Sequence, residues 1–520
     1  MNLSFNSALN DLKHASTMGA VFDSEERHPA PKCLPGTRGA VLTSIMDTLS
    51  YNNCYLEGMA GWGKSAVAQS IAERLDVQER LAASFFFARG KTGRNEIKYL
   101  FPTIAYQLTI FIPSLRTPIA DAITSDPSIL YKSPPRQLQK LIIEPISTAT
   151  RLPSFMVVVI DAIDECENEE SAADIISLVI DARLSAGLPF RFLITIRPEP
   201  RLRAILYSNK IGHLPRILSL QDFDAEDDIR IFLRHRFDEI STTRNEMLRG
   251  VKLPWPSESD FESLVQKSSG LFIFAVTVMN FLDDRNAHPI RRLEMALMSD
   301  PNASISVYAA LDQLYIHILS NTPNIDILRD ILGAILTLFD PLPIQELEQL
   351  LSLPSGVVSL ALTGLNSILV IPSASDQPVS IFHESLRDFL SDAKRSHRYF
   401  IDIPRYHADM AHSCLDVLAK YFKQDYRILE LGESSSSWAC LYACDYWASH
   451  LRYARYSNAL VDDLDTIADE TLLFWIEAVS RSYHLDGALV SLRMAKKWLR
   501  SHQNNKWLTI WVSMVLDKEH

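Results

Sequence analysis

The residues with the clearest chemistry lie in one loop, which matches the pattern G-x-x-x-x-G-K-[ST]. In such a loop glycine bends the backbone, so that successive N–H groups turn towards phosphate oxygens. Lys64 would add a full positive charge for the β- and γ-phosphates, and the Ser65 hydroxyl would bind Mg²⁺. The predicted phosphate-binding residues are Gly58, Gly61, Trp62, Gly63, Lys64, Ser65 and Ala66.

Three acidic residues form the second candidate set. They follow Met156–Ile160, an apolar and mostly β-branched run that predicts a strand buried on both faces, next to the strand of the phosphate loop. Asp161 ends the strand, where a parallel sheet presents its ligand crevice, and would hold Mg²⁺ through water. Asp164 and Glu165 could orient or deprotonate an attacking water. A solvated acidic turn is the alternative, and the pairing with a phosphate loop favours nucleotide chemistry.

Two outlying segments supply further candidates. Phe190–Ile196 predicts another strand, and Arg197 after it could sense the γ-phosphate, although an arginine before proline can also be an exposed surface residue. Thr37 and Arg38 lie in a turn-rich segment before the phosphate loop. This segment could fold over the sheet edge and contact the base of a nucleotide, and a plain linker is the alternative.

These residues can meet only if strands and helices alternate along the chain. Apolar runs and helical stripes do alternate from Gly39 to Leu206, which predicts a parallel sheet covered by helices. The predicted strands are Cys54–Leu56, Ser84–Ala88, Met156–Ile160 and Phe190–Ile196, with a possible last strand at 217–220. The predicted helices are Ala8–Ala20, Ala66–Leu75, Tyr99–Phe111 and Ser171–Ser185.

The pattern becomes helical after residue 214. Two helices within Asp260–Phe281, broken near Ser269, predict a small helical domain. Residues 305–400 predict a winged helix with strands at Ser367–Ile371 and Val379–Phe382. Its expected reading helix, Val357–Leu365, has no basic residue, which favours a lid over a DNA reader. The further predicted helices are Asp224–Arg236, Val307–Ile318, Asp326–Leu338, Ile344–Leu351 and Glu384–Leu390, with continuous helical character from His407.

Length and composition limit the class of protein. A chain of 520 residues exceeds a single core, and 47% hydrophobic with 22% charged residues is typical of a multidomain α/β plus α globular protein. The net charge of −12 argues against nucleic-acid binding. The apolar runs are too short for a membrane span, and the six cysteines show no disulfide spacing, which predicts a cytoplasmic location.

We predict five segments from these features. They are 1–40 as a lead-in, 41–213 as a P-loop NTPase domain, 214–304 as a helical domain, 305–400 as a winged helix and 401–520 as a C-terminal helical domain.

The order of several motifs resembles the NACHT module of fungal NOD-like receptors, a group of STAND P-loop NTPases whose region is also described as nephrocystin-3-like. The resemblance covers nearly the whole chain. The motifs that carry it are the phosphate loop, Cys33–Arg38, Thr103–Leu108, Asp161–Glu165, Thr195–Glu199, Ser269–Ile273 and Phe382–Leu390.

The resemblance implies a signalling switch that binds ATP or ADP with Mg²⁺ and resets by slow hydrolysis. Asp161 would belong to the magnesium site, Asp164 and Glu165 would assist hydrolysis, and Arg197 would act as sensor. His383 would touch the β-phosphate of ADP in a closed form, or it would only cap the helix that follows it.

The resemblance also implies partners. The ATP-bound form would form homo-oligomers and meet a protein effector or sensor in fungal innate-immunity or incompatibility signalling. The preference for ATP over GTP rests on the resemblance alone. Phe272 departs from the pattern, because many relatives carry a proline there against the base. Two other functions stay open, a motor or remodelling ATPase with continuous turnover and a nucleotide-binding scaffold without turnover.

Overall fold

The computed structural model describes residues 2–149, 152–153, 155–166, 169–185, 188–206, 216–251, 254–284, 287–298, 306–320, 322, 324–372, 374–424, 438–481 and 485–502. The chain forms two units, and each is described by itself. The first consists of Met1–Met279, Leu297–Ser299 and Ala303–Ala310, and the second of Asn280–Ala296, Asp300–Asn302 and Leu311–His520.

A parallel sheet forms the centre of the first unit. Its described strands run in the order β2-β3-β4-β1-β5, and every neighbouring pair is parallel. The predicted parallel sheet is therefore confirmed. The strands are β1 Cys54–Glu57, β2 Leu81–Phe86, β3 Met156–Asp161, β4 Phe190–Ile196 and β5 Arg216–Ser219.

The prediction that the strand before the acidic residues, β3, lies next to the phosphate-loop strand, β1, is wrong. Strand β4 lies between β1 and β3, so the acidic residues after β3 are one strand further away than predicted. The predicted strand Ser84–Ala88 also begins too late, because β2 starts at Leu81 and its residues are buried along its whole length.

Strand β3 is apolar throughout because both faces of the sheet are covered. Met156, Val158 and Ile160 point into a core with α4 and α5, which span Leu100–Phe111 and Arg116–Ser125. Val157 and Val159 point into the opposite core with α2 and α3, which span Gly39–Leu49 and Lys64–Val77. Each fully buried aliphatic side chain contributes about 1.5–3 kcal/mol, so β3 is held firmly on both sides.

The first helix lies earlier in the chain than predicted. Helix α1 spans Asn2–His14, and only a short 3₁₀ turn covers Met18–Ala20. The helix ends where Ser16 donates its hydroxyl to Leu12 O at 2.6 Å and Thr17 N donates to Thr103 Oγ1 at 2.9 Å. These bonds divert the backbone and turn the chain towards the sheet.

Short helices complete the layer that follows α5. They are α6 Pro134–Gln137, a π-helical turn Leu138–Ile143, α7 Glu144–Thr148, α8 Glu169–Ser185 and α9 Pro200–Leu206.

The helices that follow the sheet break where predicted. Helix α10 covers Glu226–Thr243, α11 covers Glu258–Ser268 and α12 covers Phe272–Leu282. Ser269 and Gly270 separate the last two with φ angles of 47° and 80°, a left-handed conformation that ends a helix. Leu253, which precedes α11 in the chain, lies outside the described residues.

Helices dominate the second unit. Strands β6 Leu369–Val370 and β7 Ser380–Ile381 pair antiparallel and are shorter than predicted. Helix α17 ends at Ala361 rather than at Leu365, and Gly364 follows with φ 82°. The helices described between residues 289 and 396 are α13 Pro289–Leu297, α14 Ala309–Leu319, α15 Ile325–Thr337, α16 Ile344–Leu350, α17 Val357–Ala361, α18 Glu384–Leu390 and α19 Ala393–Ser396.

Five helices cover the described C-terminal residues. They are α20 Ile403–Gln424, α21 Trp438–Tyr453, α22 Asn458–Glu470, α23 Leu472–Arg481 and α24 Leu485–Ser501. None of the helices in the described part of the chain is long and apolar enough to cross a membrane.

Candidate functional site

The phosphate loop joins the C-terminal end of β1 to the first turn of α3. Gly61 and Gly63 adopt φ angles of 80° and 90°, which glycine tolerates without strain. Helix α3 begins at Lys64, so its N-terminal N–H groups and positive dipole end face the loop. Ala66 is half-buried in the first turn of this helix. The local fold therefore has the shape of a phosphate cradle.

Lys64 is buried and turned back into the loop. Its Nζ donates to Gly58 O at 2.6 Å and to Met59 O at 3.1 Å. Burial lowers the pKa of Lys64, and the nearby Asp164 opposes that shift. An ammonium group has three N–H bonds, so a third remains for a phosphate oxygen.

Asp161 is buried at the end of β3 and linked to the phosphate loop. The hydroxyl of Thr195, on the intervening strand β4, donates to Asp161 Oδ1 at 2.7 Å. The Ser65 hydroxyl lies near enough to this carboxylate to lower its pKa. Burial raises the pKa of Asp161, while both hydroxyl groups oppose that shift. The two predicted magnesium ligands, Ser65 and Asp161, therefore lie together.

Asp164 and Arg197 form an ion pair. Arg197 Nε lies 2.8 Å from Asp164 Oδ2, and the Asp164 side chain is almost fully buried. Asp164 Oδ1 is also buried and has no hydrogen-bond partner among the described residues. Ala162 turns the chain between β3 and Asp164 with φ 53°, a costly backbone angle for a residue with a Cβ. The turn brings Asp164 back towards the strand ends.

Glu165 is half-buried and held by the loop that follows β2. Its Oε2 accepts the Arg89 N–H at 3.3 Å, and Arg89 Nη2 donates to Asp164 O at 3.1 Å. The sequence interpretation missed Arg89. Two arginines five residues apart, Arg89 and Arg94, just after an apolar strand were the signal that could have indicated it.

Two further arginines, the half-buried Arg27 and the buried Arg94, lie near these acids and were also missed. Arg27 sits over the Phe86 ring, 3.5 Å from its centroid, and Arg94 Nε donates to Phe86 O at 3.3 Å. Phe86 pairs with Asp161 across the sheet. Burial lowers the pKa of both arginines, and Asp161 opposes the shift in each. The acidic cluster therefore has basic neighbours beyond Lys64 and Arg197.

Another missed pair supports the start of the phosphate loop. Glu57, the last residue of β1, is buried and receives two hydrogen bonds from Arg203 of α9, one of them from Nε at 3.0 Å. A charged residue at the end of a short apolar strand was the available signal. This pair ties α9 to the strand that carries the loop.

Arg38 reaches the phosphate loop from the N-terminal side. Its Nη2 donates to Trp62 O at 2.8 Å, and its guanidinium lies 4.6 Å from the centroid of the Phe272 ring. The side chain is 3% exposed, and its Nη1 is buried without a hydrogen-bond partner in the described part of the chain. Thr37 is also buried, but its hydroxyl donates to Leu34 O at 2.7 Å and closes a local turn.

Trp62 contacts the segment between α11 and α12, and Phe272 is the first residue of α12. A Cβ placed on Gly270 would lie 3.6 Å from the Trp62 ring. The Phe272 ring lies against the Arg38 guanidinium. Many members of the family that the sequence resembles carry a proline at this position.

His383 belongs to the second unit and caps a helix there. Its Nδ1 accepts the Ser385 N–H at 3.0 Å, which makes it the N-cap of α18. The predicted capping role is confirmed, whereas a contact of His383 with a phosphate stays a prediction.

The described site fits a polyphosphate bound with a divalent cation. A buried lysine lies in a glycine-bent loop, and a buried carboxylate lies near the hydroxyl that follows this lysine. The fold and this site define a P-loop NTPase core followed by helical domains.

One family model matches the part of the chain that contains the phosphate loop. Residues 40–197 match the family model described as Nephrocystin 3, N-terminal. The matched residues make up less than half of the chain. A comparison with curated proteins gives no match.

Three solved structures are similar in fold at low TM-scores. A Signal Transduction ATPase with Numerous Domains (STAND) protein with a tetratricopeptide repeat sensor, from Pyrococcus horikoshii, is 12% identical over 94% of this chain and 68% of its own, with a TM-score of 0.39. The Aeropyrum pernix ORC1 protein in complex with DNA is 17% identical over 71% and 95%, with a TM-score of 0.29. Drosophila ORC bound to AT-rich DNA and Cdc6 is 10% identical over 99% and 74%, with a TM-score of 0.24.

Proposed function

We propose that the protein is a nucleotide-dependent switch that binds ATP or ADP with Mg²⁺ and hydrolyses ATP slowly. The observation that carries this proposal is the buried Lys64, turned back into a glycine-bent loop, together with the buried Asp161 at the end of β3. A loop that only turned the chain would have no need of a buried ammonium and a buried carboxylate. The match of residues 40–197 to the nephrocystin family model supports the same class.

Each residue of the site has a defined task in this proposal. The N–H groups at the start of α3 and Lys64 bind the phosphates, and Ser65 with Asp161 would hold Mg²⁺. A bound Mg²⁺ would neutralise charge that develops on the phosphates. Thr195 fixes the Asp161 carboxylate through its 2.7 Å hydrogen bond.

Glu165 is the better candidate for the general base. Asp164 is occupied by its ion pair with Arg197, whereas Glu165 is half-buried and oriented by the Arg89 N–H. Glu165 would accept a proton from the attacking water, and Arg197 would meet charge on the γ-phosphate after leaving Asp164. The need to break that ion pair is one reason to expect slow turnover.

The switch requires different affinities in two states. ADP would favour a closed form with a contact from His383, and ATP would favour an open form through Arg197. Moving the population from 1:99 to 99:1 takes about 5.5 kcal/mol. A few charge-assisted phosphate bonds of about 1.5–3 kcal/mol each could supply this difference. We further propose that the ATP form oligomerises and meets a protein effector or sensor in the cytoplasm.

The test begins with the nucleotide that co-purifies, identified by mass spectrometry, and with calorimetric binding of ADP. Lys64→Ala should weaken ADP binding by about 10- to 100-fold, since it removes a charged hydrogen-bond donor. Lys420→Ala, at a 58% exposed side chain of the second unit, is the matched control and should bind as the unaltered protein does. Equal affinity in Lys64→Ala would refute the assignment.

Glu165→Gln separates binding from turnover in the same assay. This variant should bind Mg-ATP with unchanged affinity and lose phosphate release. Turnover well above ~1 s⁻¹ in the unaltered protein would instead favour a motor, and tight binding without any turnover would favour a scaffold.

A further inference from the structure

The phosphate loop has an outer face that the proposed nucleotide site does not use. On this face the loop carbonyls accept hydrogen bonds from residues far away in the chain. Tyr308 Oη donates to Ala60 O at 3.2 Å, and Ile273 N donates to Gly61 O at 3.1 Å. All of these residues belong to the first unit.

The two contacts reach the loop from different segments. Ile273 lies in the first turn of α12 and is buried, and a Cβ on Gly61 would come within 2.2 Å of its Cγ2. Tyr308 is 248 residues from Ala60 and directly precedes α14. The outer face is therefore closely packed by Ile273 and hydrogen-bonded by Tyr308.

The geometry of a peptide unit links the outer face to the phosphate cradle. The C=O of one residue and the N–H of the next lie in one plane and point in opposite directions in a trans peptide. A hydrogen bond that holds Ala60 C=O outward therefore holds the Gly61 N–H inward. In the same way, the bond from Arg38 to Trp62 C=O turns the Gly63 N–H inward.

We propose that Tyr308 is a positioning residue for the phosphate cradle, through its hydrogen bond to Ala60 O. The proposal rests on the proposed nucleotide site. Its consequence is that nucleotide binding and the docking of Ser306–Tyr308 on the loop favour each other, because the coupling between two binding events is reciprocal. Tyr308 lies in the segment Ala303–Ala310 of the first unit, and the chain belongs to the second unit from Leu311 onward.

Tyr308→Phe tests the proposal because it removes only the hydroxyl. We expect the Kd for ADP to rise about 3- to 10-fold, the effect of one hydrogen bond. At saturating Mg-ATP the turnover number should stay unchanged, since the hydroxyl does not reach the reacting atoms. Tyr131→Phe, at an 85% exposed side chain, is the matched control and should behave as the unaltered protein does.

Hydrogen exchange separates positioning from a general loss of structure. In the unaltered protein, ADP should slow amide exchange at residues 306–310, and in Tyr308→Phe this effect should disappear at saturating ADP while exchange in β3 stays slow. Equal Kd and equal ADP-dependent protection in both proteins would overturn the inference. Absence of ADP binding by the unaltered protein would overturn the proposed function itself, so the two failures are distinguishable.

Discussion

Asp164 and Glu165 are neighbours in the chain, yet their carboxylates have different partners. Asp164 is almost fully buried against Arg197, while Glu165 accepts the backbone N–H of Arg89 and stays half-buried. In the proposed mechanism Asp164 therefore anchors Arg197, and Glu165 is left to act as the general base.

The ionised Asp161 carboxylate should lower the stability of the folded protein, although the proposed function requires it. Because burial raises its pKa, the folded protein binds the carboxyl proton more tightly than the unfolded chain does, so the ionised group destabilises the fold as pH rises through that raised pKa. Asp161→Asn should therefore raise the Tm of the nucleotide-free protein, by about 2–4 °C for each 1 kcal/mol gained, and abolish Mg-dependent turnover.

Thermal melts at neutral pH, with Mg-ATP turnover beside them, check this expectation. Asp47→Asn, at an exposed position of α2, is the control and should leave both quantities unchanged. An unchanged or lower Tm in Asp161→Asn would contradict the expectation that the buried, ionised carboxylate destabilises the fold.

At the scale of elements, the sequence was most informative where the pattern and the contacts agree. A strand apolar at every position, such as Met156–Ile160, must be covered on both faces, and the glycines of Gly58–Ser65 dictate a bend whatever surrounds them. The order of strands is different, because no local pattern encodes that β4 lies between β1 and β3. Contacts such as Tyr308 to Ala60 join segments 248 residues apart and leave no local signal.

The N-terminal helix belongs to the core of the first unit, although its sequence suggested a lead-in. Leu12 is fully buried in the same apolar cluster as β3. Leu12→Ala should lower the free energy of unfolding by about 2–5 kcal/mol, because it leaves a cavity in that cluster.

Urea unfolding measures this change. Leu360→Ala is the matched control, because it removes the same atoms from a 67% exposed side chain and should shift stability little. A Leu12→Ala protein with an unchanged midpoint would show that α1 is dispensable.

At the scale of the molecule, the second unit contains a buried polar chain that the sequence did not reveal. His450 Nδ1 lies 3.0 Å from His407 Nδ1, and His450 Nε2 lies 2.8 Å from Tyr442 Oη, which accepts the Phe339 N–H at 3.1 Å. Both imidazoles lie between helices α20 and α21, and one must donate while the other accepts. A neutral pair satisfies this order, whereas a proton on both would place charge in the core.

Acid should therefore weaken the second unit. Burial and the nearby Arg387 lower the pKa of His407 from 6.5 to about 4, and burial with the neighbouring His407 lowers the pKa of His450. The unfolded chain binds these protons first, so stability falls as pH decreases from 6.5 towards 4, by about 3 kcal/mol for His407 alone.

Unfolding free energies measured between pH 7 and pH 4 test this dependence. His407→Leu should flatten the acid side of the profile, and His288→Leu, at an exposed position of the second unit, should leave its shape unchanged. The same slope in His407→Leu as in the unaltered protein would contradict the assignment to this pair.

The contact between Gly61 and Ile273 has a mechanical meaning. Since even a methyl group would not fit between them, the bend of the loop and the first turn of α12 behave as interlocked parts. A movement of the loop at Gly61 would therefore meet the side chain of Ile273 at once. If the loop relaxed when a polyphosphate left, Gly61 would press on Ile273. The change in the loop would then reach α12 directly, with no residue in between.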